Sequence, residues 1–402
     1  MNQTLASYPT PETSTEGRLS VDGLVDHTPA SRDRYVDFLR ALSIGVVICW
    51  HWVFSVTHFG RHGALTMPNP IGEVRLLWLA TWLLQIMPVF FFVGGYANLA
   101  GWEGVERSGG GWAAFARKRL ERLLRPVFVF VALWAVGDTA ARLSFPGYRG
   151  VLHWGMVVLV PLWFLGMYTF VVLLAPLTIR LHRSGREITV VVLGALIVLA
   201  DLGRFRFHVG QLGVLNAGLV WLFAHQLGYF WRDGTLTACA RRTLWAVACA
   251  GLTVLVVLTN IGVYPRSMVA VQGEHISNMF PTTACIAALA LFQAAVVMLL
   301  RPAADCWLQR RSVWKAVVSV NAVAMTLFTW HMTALVTFLG LWRASGQALL
   351  TEPTVGWWFQ RPLWLVGPAI VLAALVVLFA RVELPRRAPD PAPRVRSTKL
   401  AR

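Results

Sequence analysis

Three features of the sequence predict an all-α integral membrane protein, a polytopic bundle of about ten transmembrane helices. Of its 402 residues 56% are hydrophobic and only 14% are charged, and mean hydropathy is +0.59, a composition foreign to water-soluble domains of this length. Apolar segments of roughly 17 to 25 residues, enough to cross a hydrocarbon core of about 30 Å as helices, recur along nearly the whole chain. These runs are continuously apolar rather than alternating, and a lipid-facing backbone must satisfy its own hydrogen bonds, so strands are not expected.

The expected spans are taken in chain order. The first, 36–58, holds RALSIGVVICWH, and the second, 76–98, ends on FFFVGGYAN. The third, 126–143, follows the basic connector RKRLERLLR at 117–125, with Pro126 suited to its first turn. The fourth, 157–179, includes PLWFL, and the fifth, 188–203, is the shortest. The sixth to eighth are 214–231, 243–263 and 281–300; the ninth, 319–341, contains TLFTWHM, and the tenth is 362–381.

Basic residues orient the bundle. With the N-terminus in the cytosol, the inner segments hold 27 of the 36 Lys and Arg and the outer ones 9, which predicts a multi-pass cell-membrane protein with both termini cytosolic. The net charge of +17 therefore reflects orientation and attraction to anionic membrane lipids, not nucleic-acid binding. Residues 1–33 are polar and rich in Ser, Thr and Pro, lack the pattern of a signal peptide, and read as a disordered cytosolic tail. Residues 384–402 read as a basic cytosolic tail, leaving 34–383 as the membrane domain. The five cysteines are scattered without a CxxC pair, so neither a disulfide nor a thiolate metal site is expected.

Arg40 and His51 are the first candidate functional pair. Eleven residues of helix turn about 1100°, three turns and about 20°, so the two side chains share one face about 16 Å apart. Ionisable groups at such depth face a bundle interior or a wet cavity. Asp37, one turn before Arg40, is placed to hold its guanidinium. His58 and His62 have the i, i+4 spacing of a helical metal grip, but no acid or thiol completes a site, so no metal is expected. The stretch QGEHISN at 272–278 offers itself as an acceptor contact but reads as an ordinary polar outer loop. No Walker, GxGxxG, HExxH or GxSxG motif occurs, which excludes nucleotide hydrolysis, redox cofactors and hydrolase chemistry of those types.

DFLRALSIGVVICWH, with its R-x(10)-H pattern, resembles the first span of the acyltransferase 3 family, ten-helix membrane O-acyltransferases. FFFVGGYAN, the basic RKRLERLLRP, PLWFL at 161–165 and FTWHM at 328–332 resemble later motifs of that family in the same order, over about residues 34 to 381. Two features depart from it: many members have Ser before Gly where this chain has Gly94 and Gly95, and a Glu after the Trp motif where it reads WFLGMYTF.

The resemblance implies transfer of an acyl group, acetyl or another short acyl, from acyl-CoA as co-substrate to a hydroxyl of a glycan, glycolipid or small-molecule glycoside. Cofactors are not implied. Arg40, Arg119, Arg122 and Arg125 would bind the CoA phosphates, since a guanidinium binds them bidentately and stays charged; the i, i+3 steps put the last three on one helix face. His51 would act as general base with Arg40 assisting at the catalytic pair, or would itself be acylated. Asp37, Trp163 and His331 would support. The rival readings are a transporter or flippase of an anionic lipid or glycan, against which the scarcity of mid-membrane acids counts, and a nonenzymatic scaffold, which leaves Arg40 and His51 unexplained.

Overall fold

The computed structural model describes residues 21–26, 28–29, 32–59, 64–148, 150–151 and 157–383. Most of both expected tails, and His62, lie outside them. The order is α1 (Val21–Asp26), α2 (Arg34–Val53), a two-residue hairpin β1 (His58–Phe59) and β2 (Leu65–Thr66), α3 (Trp78–Leu84), α4 (Met87–Arg107) and α5 (Trp112–Ser144). There follow α6 (Leu162–Ser184), α7 (Arg186–Arg206), α8 (Gln211–Arg232), α9 (Thr235–Ala238), α10 (Arg241–Ile261) and α11 (Ala284–Leu308). The chain closes with α12 (Arg311–Ala322), α13 (Ala324–Ala344) and α14 (Val355–Glu383). The fold is an all-α polytopic bundle, and every expected span overlaps one of these helices or, for the second and ninth, two.

Nine segments among the described residues are long and apolar enough to cross a membrane. The remaining expected span, the sixth, is α8, 22 residues long. It is less apolar because it is an inner helix: Asn216, His225 and Gln226 are buried against neighbouring helices and not against lipid. Asn98 Nδ2 lies 2.9 Å from His225 Nε2, linking α4 to α8. Close approach of these two helices is what their glycines permit. A Cβ on Gly95 would fall on the carbonyl oxygen of His225, and one on Gly228 on that of Phe92.

Several boundaries differ from the sequence reading for identifiable reasons. α2 ends at Val53 and not at 58, so His51 stands in its last turn. The second span is broken between α3 and α4, where Pro88 occupies the first turn of α4. The basic stretch 117–125 is not a connector: it is helical, within the 33-residue α5, and Pro126 lies inside that helix instead of starting it. Proline removes one N–H there, a loss the flanking turns of a long helix sustain. The ninth span is preceded by a separate helix, α12, with Val323 as the joint. Within 21–26, α1 is tied to α12 by Arg311 with Asp26 at 2.6 Å and Lys315 with Asp22 at 2.8 Å.

Candidate active site

Helix α2 carries the site because its first turn is fixed. The Asp33 carboxylate accepts from the backbone N–H of Tyr35 and Val36 at 3.1 and 3.3 Å, the side-chain cap such a turn requires. It also pairs with Arg301 of α11 at 2.8 Å, while Tyr35 donates to the Val297 carbonyl at 2.7 Å. Tyr35, Leu39, Ser43, Ile44, Ile48 and Trp52 form the buried face. Arg40 and His51 flank that face, one near each end of the helix.

At the far end His51 meets His331 of α13. Their rings are nearly coplanar and meet edge to edge, with 5.1 Å between centroids and 8° between planes, and His51 Nδ1 lies 2.8 Å from His331 Nε2. The partners assign the protons. His331 Nδ1 is 2.7 Å from the Phe328 carbonyl oxygen, which only accepts, so Nδ1 bears hydrogen and Nε2 of the neutral ring bears the lone pair. His51 must then donate from Nδ1, which leaves the lone pair on its own Nε2, the atom a general base needs. Trp52 Nε1 donates to the His331 carbonyl at 3.0 Å, so the same two helices are clamped one residue further on.

His51 opens into a cavity of about 600 Å³ whose wall includes Trp163, Trp50, Phe280 and Gln272. Of the 272–278 stretch, Gln272 lines this cavity. At the other end, Arg40, Arg119 and Arg122 line one small cavity of about 90 Å³ with Tyr168. Arg122 also lines, with Arg125, Lys118 and Arg32, a wide mouth of about 1090 Å³. The three spaces share walls: Arg122 belongs to the mouth and the small cavity, and Phe164 to the small cavity and the His51 cavity. Between these last two stand aromatic rings, Phe90 and Phe164 at 4.9 Å, Phe164 and Tyr168 at 5.7 Å, and Phe164 and Phe328 at 5.2 Å.

The sequence-named residues therefore assemble into two groups. His51, His331 and Trp163 gather at one end, although His331 touches His51 and does not itself line the cavity. Arg40, Arg119, Arg122 and Arg125 gather at the other. Arg119 donates to the Ala97 carbonyl, and its guanidinium fills the space a Cβ on Gly101 would take. Asp37 is nearer to Arg32, to which it is hydrogen-bonded, than to Arg40 at 3.7 Å, so it holds the Arg40 guanidinium loosely. His58 stands in β1 and not on a helix.

Three contributors escape the sequence reading. Tyr168 lies one turn past the Trp motif and meets the Cβ that Gly94 lacks, at 3.0 Å. Glu383 lines the mouth and accepts from the backbone N–H of Met325 and Thr326, both at 2.9 Å, capping α13. Arg361 is 6% exposed and donates to the Trp357 and Ser55 carbonyls at 3.1 and 3.4 Å, with its guanidinium stacked 3.7 Å from Trp357. Its burial depends on contacts with the segment after α2, which no local pattern reports.

No curated protein and no solved structure matches the chain. A family model, described as an acyltransferase domain, matches residues 33–382, from the cap of α2 almost to the end of α14. That range contains nearly every residue that lines the three cavities, and the chain belongs to the acyltransferase 3 family of membrane acyltransferases.

Proposed function

We propose that this protein is an acyl-CoA-dependent O-acyltransferase that moves an acetyl or other short acyl group to a hydroxyl of a glycan, glycolipid or glycosylated small molecule. In this reading the Arg40 end faces the cytosol, with both termini on that side of the cell membrane. The observation that carries it is the succession of shared-wall cavities from a mouth of guanidiniums to the free Nε2 of His51. CoA is a polyanion at one end and a thioester at the other, and each end finds the chemistry it requires.

The Arg40, Arg119, Arg122 and Arg125 guanidiniums hold the phosphates by charge-assisted, bidentate hydrogen bonds. The pantetheine arm passes Tyr168 and Phe164 and presents the thioester at His51. His51 Nε2 takes the proton of the acceptor hydroxyl as its oxygen attacks the thioester carbonyl. The tetrahedral adduct then collapses, the C–S bond breaks, and the CoA sulfur leaves with the proton returned from His51. His331 keeps Nδ1 of His51 hydrogen-bonded, so it is a positioning residue that also steadies the imidazolium formed in the attack. Trp163 walls the acceptor space. Asp37 contributes a loose ion pair to Arg40.

The test is release of free CoA thiol by purified protein in proteoliposomes with a panel of sugar and lipid acceptors, for wild type beside His51→Ala and Arg40→Ala. Acceptor-dependent release by wild type, lost in His51→Ala, is expected. If wild type neither binds nor turns over acyl-CoA and His51→Ala behaves identically, the catalytic reading fails and transport of a lipid or glycan takes its place.

A further inference from the structure

The cavity beside His51 differs from the mouth in one respect that bears on the acceptor. Among the described residues His51 is the only ionisable side chain in its wall: no Asp, Glu, Lys or Arg lines it. Its amides are largely committed elsewhere. Asn69 Nδ2 donates to the Ala270 carbonyl at 2.7 Å and its oxygen accepts from Ile71 N–H at 3.3 Å. Gln85 Nε2 donates to the Met268 carbonyl at 3.1 Å, and its oxygen accepts from Met87 N–H at 3.4 Å.

What remains for a ligand is His51 Nε2, the Thr66 hydroxyl and the Gln272 amide at the rim, against a wall of Trp50, Trp163 and Phe280. A charged group moved from water into such a space finds no counter-charge in the described wall, the Arg361 guanidinium behind Ser55 being engaged by the Ser55 and Trp357 carbonyls, and its desolvation goes uncompensated. An aromatic wall instead favours the apolar face of a neutral ring or chain. A volume of about 600 Å³ is within the range that encloses a small molecule and is short of a polymer.

We infer that the His51 cavity takes an uncharged, hydroxyl-bearing small amphiphile, such as a neutral glycoside with an apolar aglycone, and excludes acceptors that are anionic at the reacting end. This deepens the acyl-transfer reading, on which it rests for the statement that the ligand is the acceptor. Binding itself is measured without turnover, so the two fail separately.

The experiment is equilibrium binding of labelled octyl β-glucoside, below its micellar concentration, to the protein in lipid nanodiscs, with empty nanodiscs subtracted. Octyl β-glucuronide, which adds one carboxylate to the same shape, and free glucose serve as competitors. The glucoside is expected to bind at least about tenfold more tightly than the glucuronide and than glucose. Val160→Trp, which fills the space from an exposed wall position, should abolish the signal, and Thr66→Lys at the rim should move preference toward the glucuronide. Equal or tighter binding of the glucuronide overturns the inference, as does a signal unaffected by Val160→Trp. Displacement by octanoyl-CoA but not by acetyl-CoA assigns the cavity to the donor chain and also overturns it. Glucoside binding without any acyl-CoA turnover upholds a neutral-amphiphile site and removes the acyltransferase role given to it.

Discussion

The two ends of α2 use the same helix to opposite electrostatic ends. Around Arg40 three guanidiniums crowd a space of about 90 Å³, whereas around His51 a space of about 600 Å³ holds no permanent charge among the described residues. Crowded like charges raise the energy of the empty state and are relieved by an anion; an uncharged aromatic space gains by covering apolar surface. In the proposed reading one end fixes a charged partner and the other leaves a neutral imidazole nitrogen available.

Substitutions can break that division. His51→Ala removes the proposed proton acceptor and is expected to lower acyl transfer about 10²- to 10⁴-fold, while acyl-CoA affinity measured by equilibrium binding stays within about twofold because the proposed phosphate site is at the other end. Arg122→Ala, at the wall common to the mouth and the small cavity, should do the reverse: acyl-CoA binding weakened by about tenfold or more, the loss of one charge-assisted bidentate contact, with kcat nearly intact at saturating donor. Similar losses of kcat and affinity in both variants would show that the two ends do not act separately.

His331→Phe is expected to cost about tenfold in kcat with little change in KM, because His51 loses the acceptor that sets its tautomer. His331→Gln, whose amide oxygen can accept from His51 Nδ1, should restore part of that loss. A purely packing role would make the two variants alike. A smaller effect is expected at the partition. Gly94→Ser puts an atom against the Tyr168 ring and should change KM for acyl-CoA a few-fold; Gly95→Ala, by contrast, meets backbone and should lower thermal stability by about 2 kcal/mol or more, read by thermal unfolding in detergent.

Much of this was legible before the fold. The 3.6-residue period places Arg40 and His51 on one side of α2, and each apolar run names its helix. The polar contents of α8 explain why that helix falls short on apolarity alone: Asn216, His225 and Gln226 are chosen for neighbours, and composition does not distinguish a buried partner from lipid. The helical state of 117–125 was hidden by its charge, although Arg119, Arg122 and Arg125 fall on one face only if it is helical. The contact between His51 and His331 spans 280 residues, and no local pattern reports it. Each histidine is visible singly, but the tautomer follows only from the Phe328 carbonyl behind the second ring.

The rings of Phe90, Phe164 and Tyr168 between the two cavities have a consequence for the membrane itself. A charged mouth on one side and an open chamber on the other would, if joined by water, let protons and small ions run down their gradients. In the proposed reading, the closely packed aromatic edges would interrupt a file of water, so a route for reactants would not also be a path for ions. On that reading, widening the partition, as with Phe164→Ala, would trade a faster path for the proposed pantetheine arm against a leak registered as lost membrane potential.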